Sequence, residues 1–551
     1  MFDAIGLRRA ALTLFAVLCT ASVLPGAATA QEPARRDPRP NILLIVADDL
    51  GYSDLGVFGG EIPTPNLDGL ARSGMVLRQF YANVTCSPTR AMLMSGMDNH
   101  RAGLGLMGPP AKDSPQYGKP GYEGHLNDRV ASLPELLRDA GYHTYMTGKW
   151  HLGRTKETGP HARGFEQVFA SIDGASHLGG LSWNGPGKAS YFDGDALVNV
   201  GDDFYTTRDY TKKMIDFIEH DRKDGKPFFA WLAYTAPHWP LQAPKDSIAK
   251  FKGKYDAGWE APYQSRFARA KELGLISRDY PPLPLERGQP RWDELSADDQ
   301  RIESRKMEIY AAMVSDLDGY IGQTIEYLKQ TGQYDNTVIV FLSDNGAEGM
   351  RRDLMNPIKS WVEKCCDNSL DNLGAGNSYI MYGPNWARAG SVANYRWKSF
   401  TYEGGFHVPA FVHYPKAVAG GTSSDAIGTA MDILPTFLEI AGARHPGASF
   451  HGREVLPPTG KSLWPLVTDK VNTVHAADEA FGWELYGHRT IRQGDWKIVW
   501  DATERDKAKW HLFDLARDPS EQNDLSDREP ERLAVMVKLW DNYHRDNGLV
   551  P

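Results

Sequence analysis

Cysteine is scarce in this chain, with four among 551 residues, and that excludes a scaffold held together by disulfides. Positive charge is short as well. Lys and Arg number 61 against 70 Asp and Glu, a net charge of −9, so a nucleic-acid partner is not expected and any anionic ligand must be drawn in by locally placed cations. Internal repeats and low-complexity tracts are missing, which removes solenoids and disordered tails. What remains has the composition of a folded enzyme-sized protein: 41% hydrophobic and 11% aromatic residues, with enough length for one large domain and a smaller one.

The N-terminus reads as a signal peptide over residues 1–30. Arg8 and Arg9 form a basic start, Ala10 to Leu24 an apolar stretch too short and too rich in alanine to span a membrane, and Ala28-Thr29-Ala30 a cleavage site, with Gln31 as the mature start. This predicts a bacterial exported protein, periplasmic and without a stable membrane anchor. Arg8-Arg9 lacks the Phe-Leu-Lys continuation of a twin-arginine signal, and Leu18 is a poor neighbour for lipidation of Cys19. Removal of 1–30 leaves Cys86, Cys365 and Cys366. Adjacent cysteines lie closer than ordinary disulfides prefer, so Cys365 and Cys366 either form a strained bond or stay as thiols, and thiols are favoured slightly.

Apolar runs and helical patterns alternate along the rest. Asn41 to Ala47 is uninterruptedly apolar, the signature of a parallel strand buried on both faces, and it ends in Asp48-Asp49. Ser132 to Gly141 carries an N-cap, an early proline and a terminal glycine, and leads into a strand from Tyr142 to Thr147. Further strands are predicted at Pro227 to Thr235 and Thr337 to Ser343, the latter ending in Asp344-Asn345-Gly346. Between them lie an irregular proline-rich insertion at 240–295 and a long helix capped at Ser296, with Tyr310, Met313, Val314, Leu317 and Ile321 on its buried stripe. The predicted fold is therefore α/β, a large mostly parallel or mixed sheet flanked by helices over 31–425, with a boundary extending to about 445. A smaller C-terminal domain over 426–551 is expected to hold a hairpin around Gly494-Asp495 and a closing helix from Glu529 to His544.

The chemistry concentrates at a few short segments. In Cys86-Ser-Pro-Thr-Arg90 the proline suits a first helical turn, so free N–H groups and Arg90 converge near position 86 and make an anion site. Asp48, Asp49, Asp344 and Asn345 sit at the carboxyl ends of two core strands, where open α/β sheets bind ligands. Gathered there they call for a hard divalent cation, Ca2+ or Mg2+, rather than Zn2+, which prefers imidazole or thiolate. Lys149 and His151 alternate along an extended segment and face one side. His238 follows another strand, and Lys398 precedes Glu403-Gly-Gly.

In this order the set resembles the type I, formylglycine-dependent sulfatases, and most nearly the bacterial arylsulfatases of the alkaline-phosphatase superfamily. The resemblance rests on Asp48-Asp49, Cys-x-Pro-x-Arg at 86–90, Gly-Tyr-x-Thr-x-x-x-Gly-Lys-x-His at 141–151, His238, Asp344-Asn345, Lys398, and Leu512-Phe-Asp-Leu-x-x-Asp-Pro519. Thr89 departs from the serine or alanine usual at that position. The resemblance implies hydrolysis of sulfate monoesters, aryl sulfates first, to an alcohol or phenol and sulfate. It implies that a maturation enzyme acting on 86–90 converts Cys86 to formylglycine, a covalent nucleophile that also contacts the cation. Arg90, Lys149 and Lys398 would then neutralise sulfuryl oxygens, His238 protonate the leaving oxygen, and His151 deprotonate the second hydroxyl. Carbohydrate sulfatase, phosphonate or phosphate ester hydrolase, and an unmatured binding protein are the alternatives; the phosphonate enzymes usually carry Asp-His where this chain has Asp344-Asn345. The entrance is expected to be walled by 100–125, 173–193 and 240–295, with Trp183, Tyr191, Trp239 and Trp259.

Overall fold

A computed structural model describes residues 38–182, 185–286 and 288–550. The expected signal peptide and its cleavage site, Cys19 and Trp183 lie outside the described residues. Ten strands build the main sheet: β1 (Asn41–Asp48), β2 (Met75–Tyr81), β3 (His143–Lys149), β4 (Gln167–Ser171), β5 (Tyr191–Asp193), β6 (Ala196–Val198), β7 (Phe228–Pro237), β8 (Thr337–Ser343), β9 (Ala410–His413) and β10 (Thr422–Thr429). Their spatial order is β10-β2-β9-β8-β1-β7-β3-β4-β5-β6. β8, β1, β7, β3 and β4 run parallel at the centre, β9 and β5 run against them, and β6 pairs antiparallel with β5.

The sheet is buried on both faces, and β1 and β8 are apolar through their middles, 42–47 and 338–342. Ile42, Leu44 and Val46 of β1 enter one core and Leu43, Ile45 and Ala47 the other, and β8 divides in the same way. Helices Cys86–Ser95, Leu133–Asp139 and Ile433–Ile440 cover the first face. Thr206–Asp221 and the long helix Ala297–Gln330 cover the second. The long helix starts where expected, with Ser296 Oγ accepting from the Asp299 N–H at 3.1 Å.

Beyond the main sheet, β11 (Ser449–Phe450) and β12 (Arg453–Glu454) form a small ribbon, and β13 (Ala480–Leu485), β14 (His488–Gln493), β15 (Trp496–Trp500) and β16 (Trp510–Asp514) an antiparallel sheet covered by helix Pro530–Asp546. Its β13 strand packs Phe481, Trp483 and Leu485 against Tyr81, Val84 and Phe406, next to the chain segment that leads into Cys86.

Two expectations need correction. The insertion at 240–295 is not simply irregular, since it folds helices Lys245–Ala249 and Glu260–Glu272 around an arginine, Arg266, that is fully buried between Asp54 and Glu61. Cys365 and Cys366 are a disulfide, not thiols: Cys365 ends a helix while Cys366 turns to extended backbone, which brings the two side chains together at a Cα separation of 3.7 Å.

Candidate active site

The carboxyl ends of β1, β8, β7 and β3 converge on one place, and all ten residues singled out from the sequence arrive there. β1 delivers Asp48 and Asp49, β8 delivers Asp344 and Asn345, β3 delivers Lys149 with His151 beyond it, and β7 leads into His238. Helix Cys86–Ser95 begins at Cys86 after an extended Thr85, as the proline at its third position predicts. Lys398 comes from a loop whose backbone N–H bonds Ala347 at 3.0 Å. Gly148 is required where β3 meets β7, because a Cβ there would lie 1.8 Å from the Ala233 carbonyl oxygen. Asp49 and His151 hold left-handed backbone angles, φ 65° and 58°, an uncommon conformation that clusters at functional sites.

Three cations and three carboxylates interlock in this volume. Arg90, with no exposed surface, donates from Nε and Nη2 to Asp344 Oδ2 at 3.0 and 2.7 Å, and from Nη1 to the Lys149 carbonyl. Lys149 Nζ donates to Asp48 Oδ2 at 2.7 Å, and Lys398 Nζ to Asp49 Oδ1 at 2.7 Å. Asn345 Nδ2 donates to the same Asp49 oxygen at 2.6 Å. Burial alone would raise the Asp48 carboxyl, but Lys149, His238, Arg90 and Lys398 together hold it well below the usual range. Burial dominates at Asp49 and, with Asp48, Glu348 and Asp344 adding to it, overrides Lys398 and pushes the group up to about 7. Burial also pushes the Cys86 thiol up to about 12 against Lys149 and Lys398, so the encoded sulfur is protonated and a poor nucleophile.

Burial works against the charged form of both histidines. Burial, then Lys149 and Arg90, take His151 well below its ordinary value, and its buried Nδ1 has no hydrogen-bond partner. Burial likewise lowers His238 against the pull of Asp48. Its Nδ1 faces the Trp239 carbonyl oxygen, which assigns the proton to that nitrogen, while Nε2 lies 3.5 Å from Asp49 Oδ2. His177 Nε2 stands 2.7 Å from the His238 carbonyl oxygen and ties that turn to the helix start at Thr206.

The donor set fits a hard divalent cation. Asp48 Oδ1, Asp49 Oδ2 and Asn345 Oδ1 are buried acceptor oxygens with no hydrogen bond, a costly arrangement unless a cation meets them. Ligand atoms of Asp48, Asp49, Cys86 and His238 lie within 4.8 Å of one another, so position 86 and a histidine border the same spot. Asp344 gives one oxygen to the Arg90 fork, and its other lies 3.4 Å from the Asp49 N–H.

Above this floor opens a cavity of about 300 Å3 lined by Cys86, His151, His238, Trp239 and Lys398 together with Met107, Gly108, Pro109, Arg154, Asp173, Glu348 and Arg352. The expected wall is partly corrected. Residues 107–109, Asp173 and Trp239 do line the entrance, but apart from Trp239, just before it, the 240–295 insertion does not. Tyr191 stacks on Phe169 inside the core, and Trp259 packs edge-on against Trp292 and Trp386. The segment after Asn345 takes that place, supplying Glu348 and Arg352. Glu348 was missed because only its position four residues after Asp344 marks it; Arg154 follows His151 by three residues and pairs with Asp173 at 3.0 Å.

A mostly parallel sheet with buried acids, cations and a helix start converging at its carboxyl edge defines a hydrolase of anionic esters. The sulfatase family profile matches residues 40–443, and a profile described as N-sulphoglucosamine sulphohydrolase, C-terminal, matches 393–546. An uncharacterized sulfatase of Schizosaccharomyces pombe is 43% identical over 532 residues, covering 93% of this chain and 94% of its own length. An arylsulfatase of Klebsiella aerogenes is 40% identical over 436 residues, covering 78% and 92%. The crystal structure of Ps i-CgsB in complex with k-i-k-neocarrahexaose superposes with a TM-score of 0.65 at 26% identity, covering 92% of this chain and 93% of that one. The chain belongs to the sulfatase family and is a sulfuric ester hydrolase.

Proposed function

We propose that the enzyme hydrolyses aryl sulfates, using formylglycine made from Cys86 by a maturation enzyme that reads residues 86–90. The observation that carries this is the meeting, on one cavity floor, of position 86 with Asp48, Asp49 and His238 inside 4.8 Å, ringed by Arg90, Lys149 and Lys398. Asp48, Asp49, Asp344 and Asn345 would hold one divalent cation, Ca2+ in preference to Mg2+, which supplies Lewis-acid charge neutralisation and orients the nucleophile. Formylglycine supplies, in its hydrated form, one hydroxyl for attack and a second whose deprotonation frees sulfate. An encoded thiol buried and protonated at this position offers neither.

The chain's own residues then divide the work. The sulfuryl group is seated by the Lys149 and Lys398 ammonium groups, with Arg90 fixing Asp344 behind position 86, so negative charge develops against preorganised positive charge. His238 is oriented by its Nδ1 contact with the Trp239 carbonyl, so that in its imidazolium form Nε2 can give a proton to the departing oxygen, with Lys398 beside it. His151, neutral and with Nδ1 unsatisfied, is the base that completes turnover. Trp239, Met107 and Pro109 give the entrance apolar surface for an aromatic leaving group, and the Klebsiella aerogenes relative favours the same substrate class. The signal peptide reading places the enzyme in the periplasm.

Rates on p-nitrophenyl sulfate, p-nitrophenyl phosphonate and a sulfated monosaccharide test this reading. The aryl sulfate is expected to be fastest. Faster phosphonate cleavage would replace it with the phosphoesterase alternative, and faster sugar desulfation with the carbohydrate alternative.

A further inference from the structure

A second cavity of about 290 Å3 lies beside the first, built largely by the C-terminal sheet and its helix. The two share a wall: Leu106 lines the second cavity and Met107 the first, so consecutive residues about 3.8 Å apart separate them. Tyr486, at the turn between β13 and β14, stands at the rim. It adopts φ 54°, is 47% exposed, and lies close enough to Arg352 and Lys398 of the catalytic cavity to feel their charges. The angle is the one a two-residue hairpin turn requires, with Tyr486 and Gly487 (φ 82°) linking the paired Leu485 and His488, and it sets Tyr486 in the lining of the second cavity.

The lining has a definite chemistry. Trp540 and Tyr122 present largely buried aromatic surface, Tyr122 being fixed by the Val550 N–H that it accepts at 2.9 Å. Arg489 adds a cationic group and His544 an imidazole. Arg489 forms no ion pair among the described residues; its guanidinium lies 5.5 Å from the Trp500 ring centroid. The one acid in the lining, Glu484, is occupied, with Oε1 accepting from the Gly487 N–H at 2.8 Å and Oε2 lying 3.0 Å from His100 Nε2. Aromatic faces with a guanidinium outside any ion pair among the described residues, and an acid turned to other partners, suit a flat ring that bears a negative charge.

We infer that this cavity is a second binding site for the leaving group, taking a distal anionic ring of an extended aryl sulfate whose sulfated ring sits in the catalytic cavity. The inference rests on the aryl sulfatase reading and names the substrate class more narrowly. Binding energy gained there acts remotely from the chemistry and lowers KM with little change in kcat.

The test compares three esters on the mature enzyme: p-nitrophenyl sulfate, 4-(4-carboxybenzyloxy)phenyl sulfate and the methyl ester of the latter. The carboxylate is expected to have a KM about tenfold below its methyl ester, the scale of one partly exposed charge-assisted contact. Arg489→Ala should erase that difference while leaving p-nitrophenyl sulfate kinetics unchanged, which also reports correct folding, and Arg489→Lys should restore most of it. Equal KM values for acid and ester, or a parallel loss on all three substrates in Arg489→Ala, overturn the second site. Inactivity on all three overturns the aryl reading itself and the second site with it.

Discussion

Arg90 offers the sharpest energetic test, because it and Asp344 are both without exposed surface and meet through two hydrogen bonds to one carboxylate oxygen, at 3.0 and 2.7 Å. Arg90→Ala leaves the Asp344 charge buried, with only Lys149 and Lys398 at longer range to oppose it. Breaking such a pair by deleting one partner costs about 3–5 kcal/mol, a large share of a total stability of about 5–15 kcal/mol. Arg90→Ala/Asp344→Asn removes the orphaned charge and retains only the packing loss. The double variant is therefore expected to be more stable than the sum of the single losses by roughly 2 kcal/mol or more. Urea unfolding followed by tryptophan fluorescence, in EDTA so that no cation contributes, gives the four values of the cycle. Losses that add within about 0.5 kcal/mol, or an Arg90→Ala cost below about 1 kcal/mol, would refute the claim that this pair neutralises the floor of the site.

Two more outcomes follow from the same electrostatics. His100 is buried between Asp98 and Glu484, whose attraction outweighs burial and raises it to about 9. Because the folded value lies above the unfolded 6.5, its stabilisation is fully present below about pH 6.5 and is lost as the pH rises through about 9. His100→Gln should flatten the melting temperature over that window, and an unchanged profile would remove His100 as its source. Chelation should lower both activity and melting temperature, with Ca2+ restoring them, since Asp48 Oδ1, Asp49 Oδ2 and Asn345 Oδ1 otherwise stay unsatisfied. Asn345→Ala should shrink the Ca2+-induced rise in melting temperature, and a melting temperature indifferent to Ca2+ would contradict the oxygen-ligand site.

β1 and β8 were legible because strands buried on both faces run nearly continuously apolar, and their ends were legible because acids there interrupt the run abruptly, whereas β3, with His143, Thr144 and Thr147, was marked by the capped helix before it. The helix start at Cys86 followed from Pro88 in the same way. Less could be read of the walls. Tyr191, Trp239 and Trp259 are equally suited to core and cavity, and only tertiary packing sends the first and last inward while Trp239 reaches the entrance. Glu348, Arg352 and Arg154 are ordinary charged loop residues in sequence, and they acquire meaning only where the loops after β8 and β3 meet above position 86. The helices within 240–295 escaped notice because prolines surround them, although Arg266 is what their packing encloses.

The central claim concerns residue 86, and mass spectrometry of the peptide that spans it, from protein made in its native host, tests that claim most directly. An aldehyde at position 86, reactive toward a hydrazide probe and present in proportion to specific activity, is the predicted result. Fully active enzyme carrying only unmodified cysteine would contradict the account.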